Sequence, residues 1–472
     1  MNQNKIPEKV ESVHLIAICG TAMGALAAAL KELGLAVTGS DKGVYPPVST
    51  FLAEKGIAVN EGFSAGNLEY RPDLVIVGNA VRRDNPEAVG MLDLGLAFCS
   101  MPQAVNRFLA RGKKTLVVCG THGKTTTASI AAWLLYQAGC DPSFLIGGIL
   151  NNFGSSYRVG GGRYMVIEGD EYDTAFFDKG PKFLHYRPDI AVWTGTEFDH
   201  ADIFEDFYHV KSVFDVFFSG IAEQSRLIGY GQDPNAGEML GSRRCMVETY
   251  GTDFHDTWRL EDEAPLPPWN RFSLYRGPEL FAKLRMKLYG AHNRLNAAAA
   301  AAAAARFGIS AGEIEKGMET FSGVRRRQEI RGVKNRITVM DDFAHHPTEV
   351  RETVSAVRSV YRENRLIAVF EPRTNTSMRT VFQQAYPSAF KEADLVCVRK
   401  PPLLHKVAGS PKFSSQRLAE DIEKQHGVNA LYFEDTEGIL DFLSQEACPG
   451  DIILVMSNGG FDNIHERLLE LL

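Results

Sequence analysis

A glycine-containing loop between a strand-like run and a helix-like run carries the residues best suited to bind phosphate. Residues 115–119 are apolar, and residues 120–126 follow them as Gly-Thr-His-Gly-Lys-Thr-Thr. In such a turn, backbone N–H groups and the helix dipole bind phosphate. Lys124 is placed to reach the β and γ phosphates, and the Thr125 hydroxyl to hold Mg²⁺. Only the second half of the P-loop pattern is present, because Val118 stands where that pattern has its first glycine. The loop still predicts an ATP site.

Acidic residues and one histidine follow two further apolar runs. Residues 164–167 lead directly to Glu168, with Glu171 and Asp173 shortly after, and residues 190–193 lead to an acidic segment containing His200. A carboxylate that ends a strand beside a phosphate loop commonly binds Mg²⁺, and we expect Glu168 in that role. Glu171 and Asp173 fit a solvated charged turn equally well. His200 is equally compatible with a metal or phosphate site and with a structural role.

Parallel sheets covered by helices must position these residues. Short β-branched runs alternate with helical stretches along the chain, which predicts an α/β fold. The 472 residues are about three times a usual domain length. Polar connections place the boundaries near residues 112 and 330. We therefore predict three domains, at 1–112, 113–330 and 331–472.

The predicted strands form one series in each domain. They lie at 13–19, 36–39, 73–78 and 97–99, then at 115–119, 164–167 and 190–193, and finally at 337–340, 366–370, 395–398, 431–433 and 452–456. Nine consecutive alanines at 297–305 predict a buried helix, because alanine has the best helix propensity and allows close packing. Residues 231–280, with Pro265, Pro267 and Pro268, predict an irregular or antiparallel addition.

The composition is that of an ordinary soluble globular protein. Lys plus Arg is 51 and Asp plus Glu is 58, so the formal net charge is −7, which argues against a general nucleic-acid or anionic-membrane surface. No apolar run reaches the roughly 20 residues needed to span a bilayer, and we expect a cytoplasmic protein. The seven cysteines lack metal-site spacing, and we expect all of them to be reduced core residues.

Four motifs in this order resemble the Mur ligase family, whose members use ATP to join amino acids or peptides to UDP-linked muramic acid. The motifs are GTHGKTTT, EGDEYD, EFDHADIF and GAHNRLN, the last at 290–296. HLIAICGTAMGALA near the amino terminus and DDFAHHPTEV at 341–350 are similar to the branch that acts directly on UDP-N-acetylmuramate. The resemblance implies a Rossmann-like UDP-sugar-binding domain, a central P-loop ATPase-like domain and a Rossmann-like carboxyl-terminal domain that binds the peptide.

Within that branch, further segments resemble enzymes that attach a recycled tripeptide. These are YPP at 45–47, EYDTAFFDK, FEPRTNT at 370–376 and MSNGGF at 456–461. The resemblance implies ligation of L-alanyl-γ-D-glutamyl-meso-diaminopimelate to UDP-N-acetylmuramate in peptidoglycan recycling. The alternative is ligation of L-alanine alone in de novo synthesis. In either case ATP and Mg²⁺ are implied, and the muramate carboxylate becomes an acyl phosphate that the incoming amine attacks.

The resemblance also implies roles for individual residues. The UDP-sugar would be bound by Gly20, Thr21, Ala22, Met23, Gly24, Ser40 and Asp41. ATP would be bound by Gly120, Thr121, His122, Gly123, Lys124, Thr125, Thr126, His292, Asn293, Arg327 and Asp341. Mg²⁺ would be held by Thr125, Glu168 and His200, and catalysis would depend on Lys124, Glu168, His200 and Arg327. Three adjacent arginines at 325–327 cannot all face one ligand, and we expect one of them to meet the phosphate.

The peptide site is expected after the second predicted strand of the third domain. Arg373, Asn375, Thr376 and Ser377 lie where a ligand crevice forms in such a sheet, and Arg373 can pair with a peptide carboxylate. A polar loop that starts a helix is the alternative.

Two other classes of protein share part of this pattern. Gly20 and Gly24, with Asp41 about twenty residues on, imitate a dinucleotide-binding fingerprint, but Ala22 stands where that fingerprint needs a glycine. An oxidoreductase would also leave Lys124 and Thr125 unexplained. A P-loop ATPase with a mechanical or regulatory role is distinguished by ATP turnover that does not require a UDP-sugar.

Overall fold

The computed structural model describes residues 4–263, 268–406 and 411–472, and three main sheets organise them. The strands of these sheets lie between residues 12 and 100, 114 and 286, and 329 and 456. The three α/β units follow the order expected from the sequence, while the domain limits at 112 and 330 remain predictions. Among the described residues, no helix is both long enough and apolar enough to cross a membrane.

The first unit is a five-stranded parallel sheet in the order β3-β2-β1-β4-β5, which is a Rossmann-like arrangement. Its core lies between the sheet and α1, whose alanines and leucines are buried. Its elements are β1 Ser12–Ile16, α1 Thr21–Glu32, β2 Ala36–Asp41, α2 Val48–Glu54, β3 Ala58–Glu61, β4 Leu74–Val77, α3 Pro86–Asp93, β5 Phe98–Ser100 and α4 Met101–Val105.

The second unit contains a ten-stranded sheet in the order β17-β16-β15-β14-β13-β12-β6-β9-β7-β8, and a separate hairpin of β10 and β11. Its elements are β6 Lys114–Cys119, α5 Lys124–Gln137, β7 Ser143–Leu150, β8 Ser155–Arg158, β9 Tyr164–Glu168, β10 Asp173–Ala175, β11 Asp178–Pro181, β12 Ile190–Trp193, α6 Phe207–Ser219, β13 Arg226–Tyr230, α7 Ala236–Leu240, β14 Met246–Gly251, β15 Trp258–Asp262, β16 Asn270–Arg276, β17 Glu279–Met286, α8 Ala291–Arg306 and α9 Ala311–Thr320.

The stretch at 231–280 extends the sheet of the second unit. The strands β14 and β15 continue the parallel order, and only β16 and β17 pair in antiparallel fashion. The predicted antiparallel addition is therefore correct for its second half and wrong for its first. Pro265 and Pro267 lie outside the described residues.

The third unit is a six-stranded sheet in the order β18-β19-β23-β20-β21-β22, parallel except for its edge strand β18. Its elements are β18 Glu329–Lys334, β19 Ile337–Asp342, α10 Pro347–Val360, β20 Leu366–Phe370, α11 Tyr386–Ala389, β21 Leu395–Arg399, α12 Ser415–His426, β22 Asn429–Phe433, α13 Thr436–Glu446, β23 Ile452–Met456 and α14 Ile464–Leu471.

The alanine run forms the buried helix that its composition predicts. Ala297 to Ala304 lie in α8, are at most 1% exposed, and pack in the core that also contains α5, the helix that follows the phosphate loop.

The prediction that all seven cysteines are reduced core residues is only partly correct. All seven are free, but Cys448 is exposed, so it is not a core residue. Cys448 lies in the turn between α13 and β23, at the surface of the third unit.

Candidate active site

The phosphate loop turns sharply between β6 and α5, and two glycines make this turn possible. Gly120 and Gly123 have φ of 129° and 76°, in the region that favours glycine. A Cβ on Gly120 would lie 2.3 Å from Oγ1 of Thr194, and one on Gly123 would lie 2.3 Å from Oδ1 of Asn296. The loop backbone is therefore held between β12 and α8, with the first N–H groups of α5 at its end.

Lys124 lies at the first position of α5, where its ammonium meets acidic residues. Nζ donates to the carbonyl oxygens of Gly120 and Thr121, at 2.7 and 2.9 Å, and lies 3.0 Å from the Glu171 carboxylate. Burial lowers the pKa of Lys124, but the carboxylates of Glu171 and Glu168 outweigh it and leave the pKa raised. The lysine is therefore protonated at neutral pH and sits next to the phosphate-binding turn.

Glu168 at the end of β9 contacts the start of α5 directly, while His200, in the segment after β12, reaches it through Glu171. Oγ1 of Thr125 donates to Oε1 of Glu168 at 2.8 Å, and the N–H of Gly147 donates to its Oε2 at 2.6 Å. Nε2 of His200 lies 3.1 Å from Oε1 of Glu171. Burial raises the pKa of Glu168. Burial lowers the pKa of His200, but the hydrogen bond and charge of Glu171, together with the charge of Asp199, leave it raised. One buried carboxylate, Glu171, thus joins Lys124 to His200.

A cavity of about 410 Å³ opens beside the loop, between the second and third units. Its wall combines the phosphate loop, the start of α8, the segment before β18 and the start of α10. The lining includes His122, Gly123, Thr125, Thr126, Glu197, His292, Asn293, Asn296, Arg327, Asp342, Glu349 and Glu352. Gly120, Thr121, Lys124 and Asp341 are not part of this wall.

His292 supplies a neutral ring to the cavity. Burial lowers its pKa to about 4. Its Nδ1 is buried and has no hydrogen-bond partner among the described residues. An unprotonated ring with an unused nitrogen can accept a hydrogen bond from a ligand or donate one to it.

Histidines and carboxylates join the phosphate loop to the third unit. Nδ1 of His122 lies 3.1 Å from Oε1 of Glu349 on α10, and Oγ1 of Thr348 donates to Oε2 of Glu197 at 2.7 Å. Burial lowers the pKa of His122, but Glu197 and Glu349 raise it to about 9. One atom each of His122, Glu197 and His346 lie within 4.8 Å of one another. Both ring nitrogens of His346 contact backbone groups, the N–H of Thr348 and the carbonyl of Phe198. The arrangement is a contact between units, because His346 has no nitrogen left for a metal.

The predicted UDP-sugar residues lie at the carboxyl edge of the first sheet. Gly20 and Thr21 are exposed at the start of α1, and Ala22 is partly buried. Asp41, at the end of β2, accepts hydrogen bonds from the N–H groups of Cys19 and Gly43, at 2.9 and 3.0 Å.

Three other members of that predicted set are buried. Oγ of Ser40 is buried and has no hydrogen-bond partner in the part of the chain that the structure describes. Met23 and Gly24 lie on the buried face of α1, where a Cβ on Gly24 would be 2.8 Å from Val48. Packing therefore explains Met23 and Gly24 better than ligand binding.

The predicted peptide residues follow β20 in the third unit. Thr376 accepts a hydrogen bond from the N–H of Ala201 at 3.1 Å, and Asn375 donates to Oδ2 of Asp202 at 3.1 Å. This loop therefore lies beside the His200 segment. Ser377 is buried and bonds to Thr374 in the local turn. Arg373 is 31% exposed and is the cation of this group that faces outward.

Comparison with known proteins matches the whole length of the chain to one family. The Mur ligase family catalytic domain matches residues 12–113, the Mur ligase middle domain matches 118–304, and the Mur ligase glutamate ligase domain matches 326–459. The chain is 38% identical to the UDP-N-acetylmuramate:L-alanyl-γ-D-glutamyl-meso-2,6-diaminoheptandioate ligase of Escherichia coli (strain K12), over 97% of each chain. The chain belongs to the Mur ligase family.

Two further relatives are named for different second substrates, one for an amino acid and one for a peptide. The UDP-N-acetylmuramate:L-alanine ligase of Acetivibrio thermocellus is 33% identical, over 98% of this chain and 97% of the relative. The crystal structure of a murein peptide ligase from Psychrobacter arcticus 273-4 has a TM-score of 0.72 and 32% identity, and covers 98% of each chain. This Mur ligase is an ATP-dependent enzyme that forms amide bonds.

One predicted nucleotide residue of this Mur ligase is bonded elsewhere. Asp341 is buried with Arg326, Arg331 and His465, at 3.2 to 3.4 Å, and does not reach the cavity. The carboxylate in the cavity wall is the next one, Asp342. On β19, consecutive side chains point to opposite faces, so only one of the two adjacent acids can face the nucleotide.

Of the three adjacent arginines at 325–327, one lines the cavity. Arg327 is in the cavity wall and lies over the ring of Phe343, 4.8 Å from its centre. Arg326 pairs with Asp341, and Arg325 is exposed.

Sequence reasoning missed several residues of the site. Glu171 is equally compatible with a solvated turn in the sequence, yet it is 3% exposed between Lys124 and His200. Asn296 lines the cavity with Asn293, and the spacing of three residues on one helix was the signal that could have found it. Glu197 stands in the acidic segment around His200, but its contact with Thr348 was not predictable, because Thr348 comes from another unit.

Proposed function

We propose that this Mur ligase joins the tripeptide L-alanyl-γ-D-glutamyl-meso-diaminopimelate to UDP-N-acetylmuramate, in the recycling of peptidoglycan. The proposal rests on the full-length identity of 38% to the ligase of E. coli that is named for these substrates. The identity to the alanine ligase of A. thermocellus is 33%. Ligation of L-alanine in de novo synthesis is the second candidate, because the relatives with that name also match over nearly the whole chain.

ATP fits the cavity between the second and third units. Its phosphates would lie on the N–H groups of Gly123 and the start of α5, where a helix N-terminus favours anions. The adenine would meet His292 and Asn293, since the neutral ring of His292 has a nitrogen free of hydrogen bonds among the described residues. Arg327 in the cavity wall would contact the γ-phosphate. Lys124 would exchange part of its contact with Glu171 for the phosphate oxygens.

The donor set beside the phosphate loop fits Mg²⁺. Oγ1 of Thr125 and Oε1 of Glu168 are oxygen donors 2.8 Å apart, and oxygen ligands are those that Mg²⁺ prefers. His200 offers a nitrogen, which suits Mg²⁺ less well, and its contact with Glu171 makes it a candidate to orient the acids around the ion. When bound, Mg²⁺ would neutralise charge on the transferred phosphoryl group.

The UDP group would lie at the start of α1. Gly20 and Thr21 are exposed there and present N–H groups that the helix itself does not use. The anionic diphosphate is favoured at this helix end, and Ser40 and Asp41 close the other side. The muramate carboxylate would then point towards the second unit.

Two transfers complete the reaction. The carboxylate oxygen attacks the γ-phosphorus of ATP, ADP leaves, and an acyl phosphate forms. The amine of the peptide then attacks the acyl carbon, loses a proton, and inorganic phosphate leaves as the amide forms. Lys124 and Arg327 would stabilise the charge on the phosphoryl group, and contact between the three units would keep water away from the acyl phosphate.

Phosphate release measures this function directly. ATP-dependent phosphate release is followed with UDP-N-acetylmuramate plus either the diaminopimelate tripeptide or free L-alanine, and the product is identified by mass. We expect turnover with the tripeptide and little with alanine. Preference for alanine would assign the second candidate, and ATP turnover without the UDP-sugar would refute both.

A further inference from the structure

A row of alternating charges runs along the carboxyl edge of the third sheet, beyond the predicted peptide residues. Glu371 follows β20, Arg399 ends β21, and Asp462 lies in the loop after β23. Arg373 is 3.7 Å from Glu371, Glu371 pairs with Arg399, and Arg399 is 2.7 Å from Asp462. The order of charges is positive, negative, positive, negative.

The two middle members of this row are buried. The Glu371 side chain is fully buried and also accepts a hydrogen bond from Oγ of Ser457 at 2.7 Å. The Arg399 side chain is only 9% exposed. Within the described residues, Nε of Arg399 and Oδ1 of Asn458 are buried without a hydrogen-bond partner. The other nitrogens of Arg399 pair with Glu371 and Asp462, and its guanidinium lies over the ring of Phe461, 5.4 Å from the ring centre.

The two outer members of the row are accessible and have opposite charge. Arg373 is 31% exposed, and Asp462 is 51% exposed. Oδ2 of Asp462 accepts hydrogen bonds from Arg399 and from Oγ1 of Thr436, at 2.7 and 2.8 Å. Its Oδ1 takes no part in these two contacts, and Arg467 is a further cation whose charge interacts with this carboxylate.

The backbone around Asp462 is held in an unusual conformation. Phe461, Asp462 and Asn463 have φ of 46°, 49° and 56°, which side chains with a Cβ rarely adopt. Phe461 is fully buried and anchors this turn in the core. Such conformations persist only where the surrounding structure fixes them, and they cluster at ligand sites. The fold therefore fixes the position of the Asp462 carboxylate.

The row begins beside the reaction centre and leads away from it. Thr376, three residues after Arg373, bonds to Ala201, the neighbour of His200. In the proposed reaction, the amine of the peptide's alanine is the nucleophile, so it must lie at the end of the row that is close to His200. An ammonium group at Asp462 would have to be a second one, further along the peptide, and meso-diaminopimelate carries such a group next to a carboxylate.

We propose that Asp462 binds the distal ammonium group of the peptide while Arg373 binds the adjacent carboxylate, so that this edge selects a peptide ending in a diamino acid. The inference rests on the proposed function. Glu371 and Arg399 hold the two outer groups in place through the buried pair. L-alanine has no second ammonium group and would gain nothing from Asp462.

Three peptides separate the two contacts. The first peptide ends in meso-diaminopimelate. The second ends in L-lysine, which keeps the distal ammonium group and lacks the distal carboxylate. The third ends in L-2-aminopimelate, which keeps the distal carboxylate and lacks the distal ammonium group. The wild-type enzyme is compared with Asp462→Asn and Arg373→Ala. Asparagine tolerates a positive φ as aspartate does, so the turn should keep its shape in the first variant. Glu446→Gln is the matched control, because Glu446 is an exposed acid paired with Arg365 at the opposite end of α13 from Thr436.

We expect Asp462→Asn to lower kcat/KM by about tenfold or more for the diaminopimelate and lysine peptides, the loss typical of one charge-assisted hydrogen bond, and to leave the aminopimelate peptide unchanged. Arg373→Ala should lower kcat/KM for the diaminopimelate and aminopimelate peptides. It should leave kcat/KM for the lysine peptide unchanged, because that peptide lacks the distal carboxylate. The KM for ATP should not change, and Glu446→Gln should match the wild type.

An equal loss with all three peptides, or no loss with any, would overturn the role of Asp462 while leaving the proposed function intact. A wild-type enzyme that does not ligate the diaminopimelate peptide would refute the proposed function, and the inference with it.

Discussion

Replacing Glu349 by glutamine tests whether the third unit sets the charge of the phosphate loop. Oε1 of Glu349 lies 3.1 Å from Nδ1 of His122, and the two side chains are 18% and 20% exposed. Burial lowers the pKa of His122, but hydrogen bonds and charges from Glu197 and Glu349 bring it to about 9. His122 is therefore protonated at neutral pH, and its ion pair with Glu349 links the loop to α10.

The size of the effect follows from the pKa of His122. A rise from 6.5 to about 9 corresponds to roughly 3 kcal/mol of favourable interaction with the protonated ring. Two carboxylates share this energy, so loss of Glu349 should lower the pKa by about one and weaken the contact between the units by ~1.5 kcal/mol, about tenfold in an equilibrium constant. Because the pKa is raised, the contribution is fully present below pH 6.5 and is lost as the pH rises through about 9.

Two measurements check this prediction. The first is NMR titration of the His122 ring in enzyme labelled with ¹⁵N-histidine, and the second is calorimetric binding of a non-hydrolysable ATP analogue at pH 7.5 and 9.5. We expect Glu349→Gln to lower the pKa of His122 and to weaken nucleotide binding at pH 7.5. At pH 9.5 the wild type should approach the variant, since its ring has lost most of its charge.

Glu352→Gln is the control for the charge of the cavity wall. Glu352 lies one turn further along α10, lines the same cavity, and is 3.9 Å from His292. Its replacement removes the same charge from the wall but leaves the His122 contact in place. If both variants change the titration of His122 equally, or if Glu349→Gln leaves it at about 9, the reasoning is refuted.

Three other substitutions give separate tests. Lys124→Ala should abolish ligation and leave the circular dichroism spectrum unchanged; normal ligation would rule out the phosphate-loop assignment. Glu168→Gln should raise the Mg²⁺ concentration needed for half-maximal activity, because one of the two oxygen donors loses its charge; an unchanged requirement would place the ion elsewhere. Ala300→Leu should lower the free energy of unfolding by about 1–3 kcal/mol, because extra carbons have no space beside α5, and a urea titration measures it. An unchanged midpoint would mean that this part of the core has room.

The sequence predicts this fold well where local patterns and packing agree. The apolar runs predicted as strands all become strands with parallel neighbours, because a strand buried on both faces needs a continuous apolar sequence. The alanine run becomes a core helix for the same reason. The stretch at 231–280 is harder, since β14 takes its direction from pairing with β13 and β15 from pairing with β14, which local sequence does not encode.

The candidate site is predictable only as far as its residues share one segment. Lys124 and Thr125 belong to a loop whose spacing identifies it, and their neighbour Glu168 ends the adjacent strand. Glu171 gains its role only through burial against Lys124, and Glu349 only through contact with another unit. The sequence also could not tell which of Asp341 and Asp342 faces the cavity. The direction of each side chain depends on the register of β19 with β18 and β23.

The phosphate loop is contacted from both sides, and these contacts bear on the order of events. On one side, Ala175 and Phe177 of the β10–β11 hairpin pack on the first unit, with the ring of Phe177 4.7 Å from that of Phe98. The same segment carries Glu171, which holds Lys124. On the other side, Glu349 of the third unit holds His122. A shift of the first unit would therefore be felt at Lys124 through the hairpin segment that carries Glu171. A shift of the third unit would be felt at His122 through Glu349. In the proposed reaction, ATP at this loop meets charges set by Glu171 and Glu349, so we expect phosphoryl transfer to depend on contact of the loop with both neighbouring units.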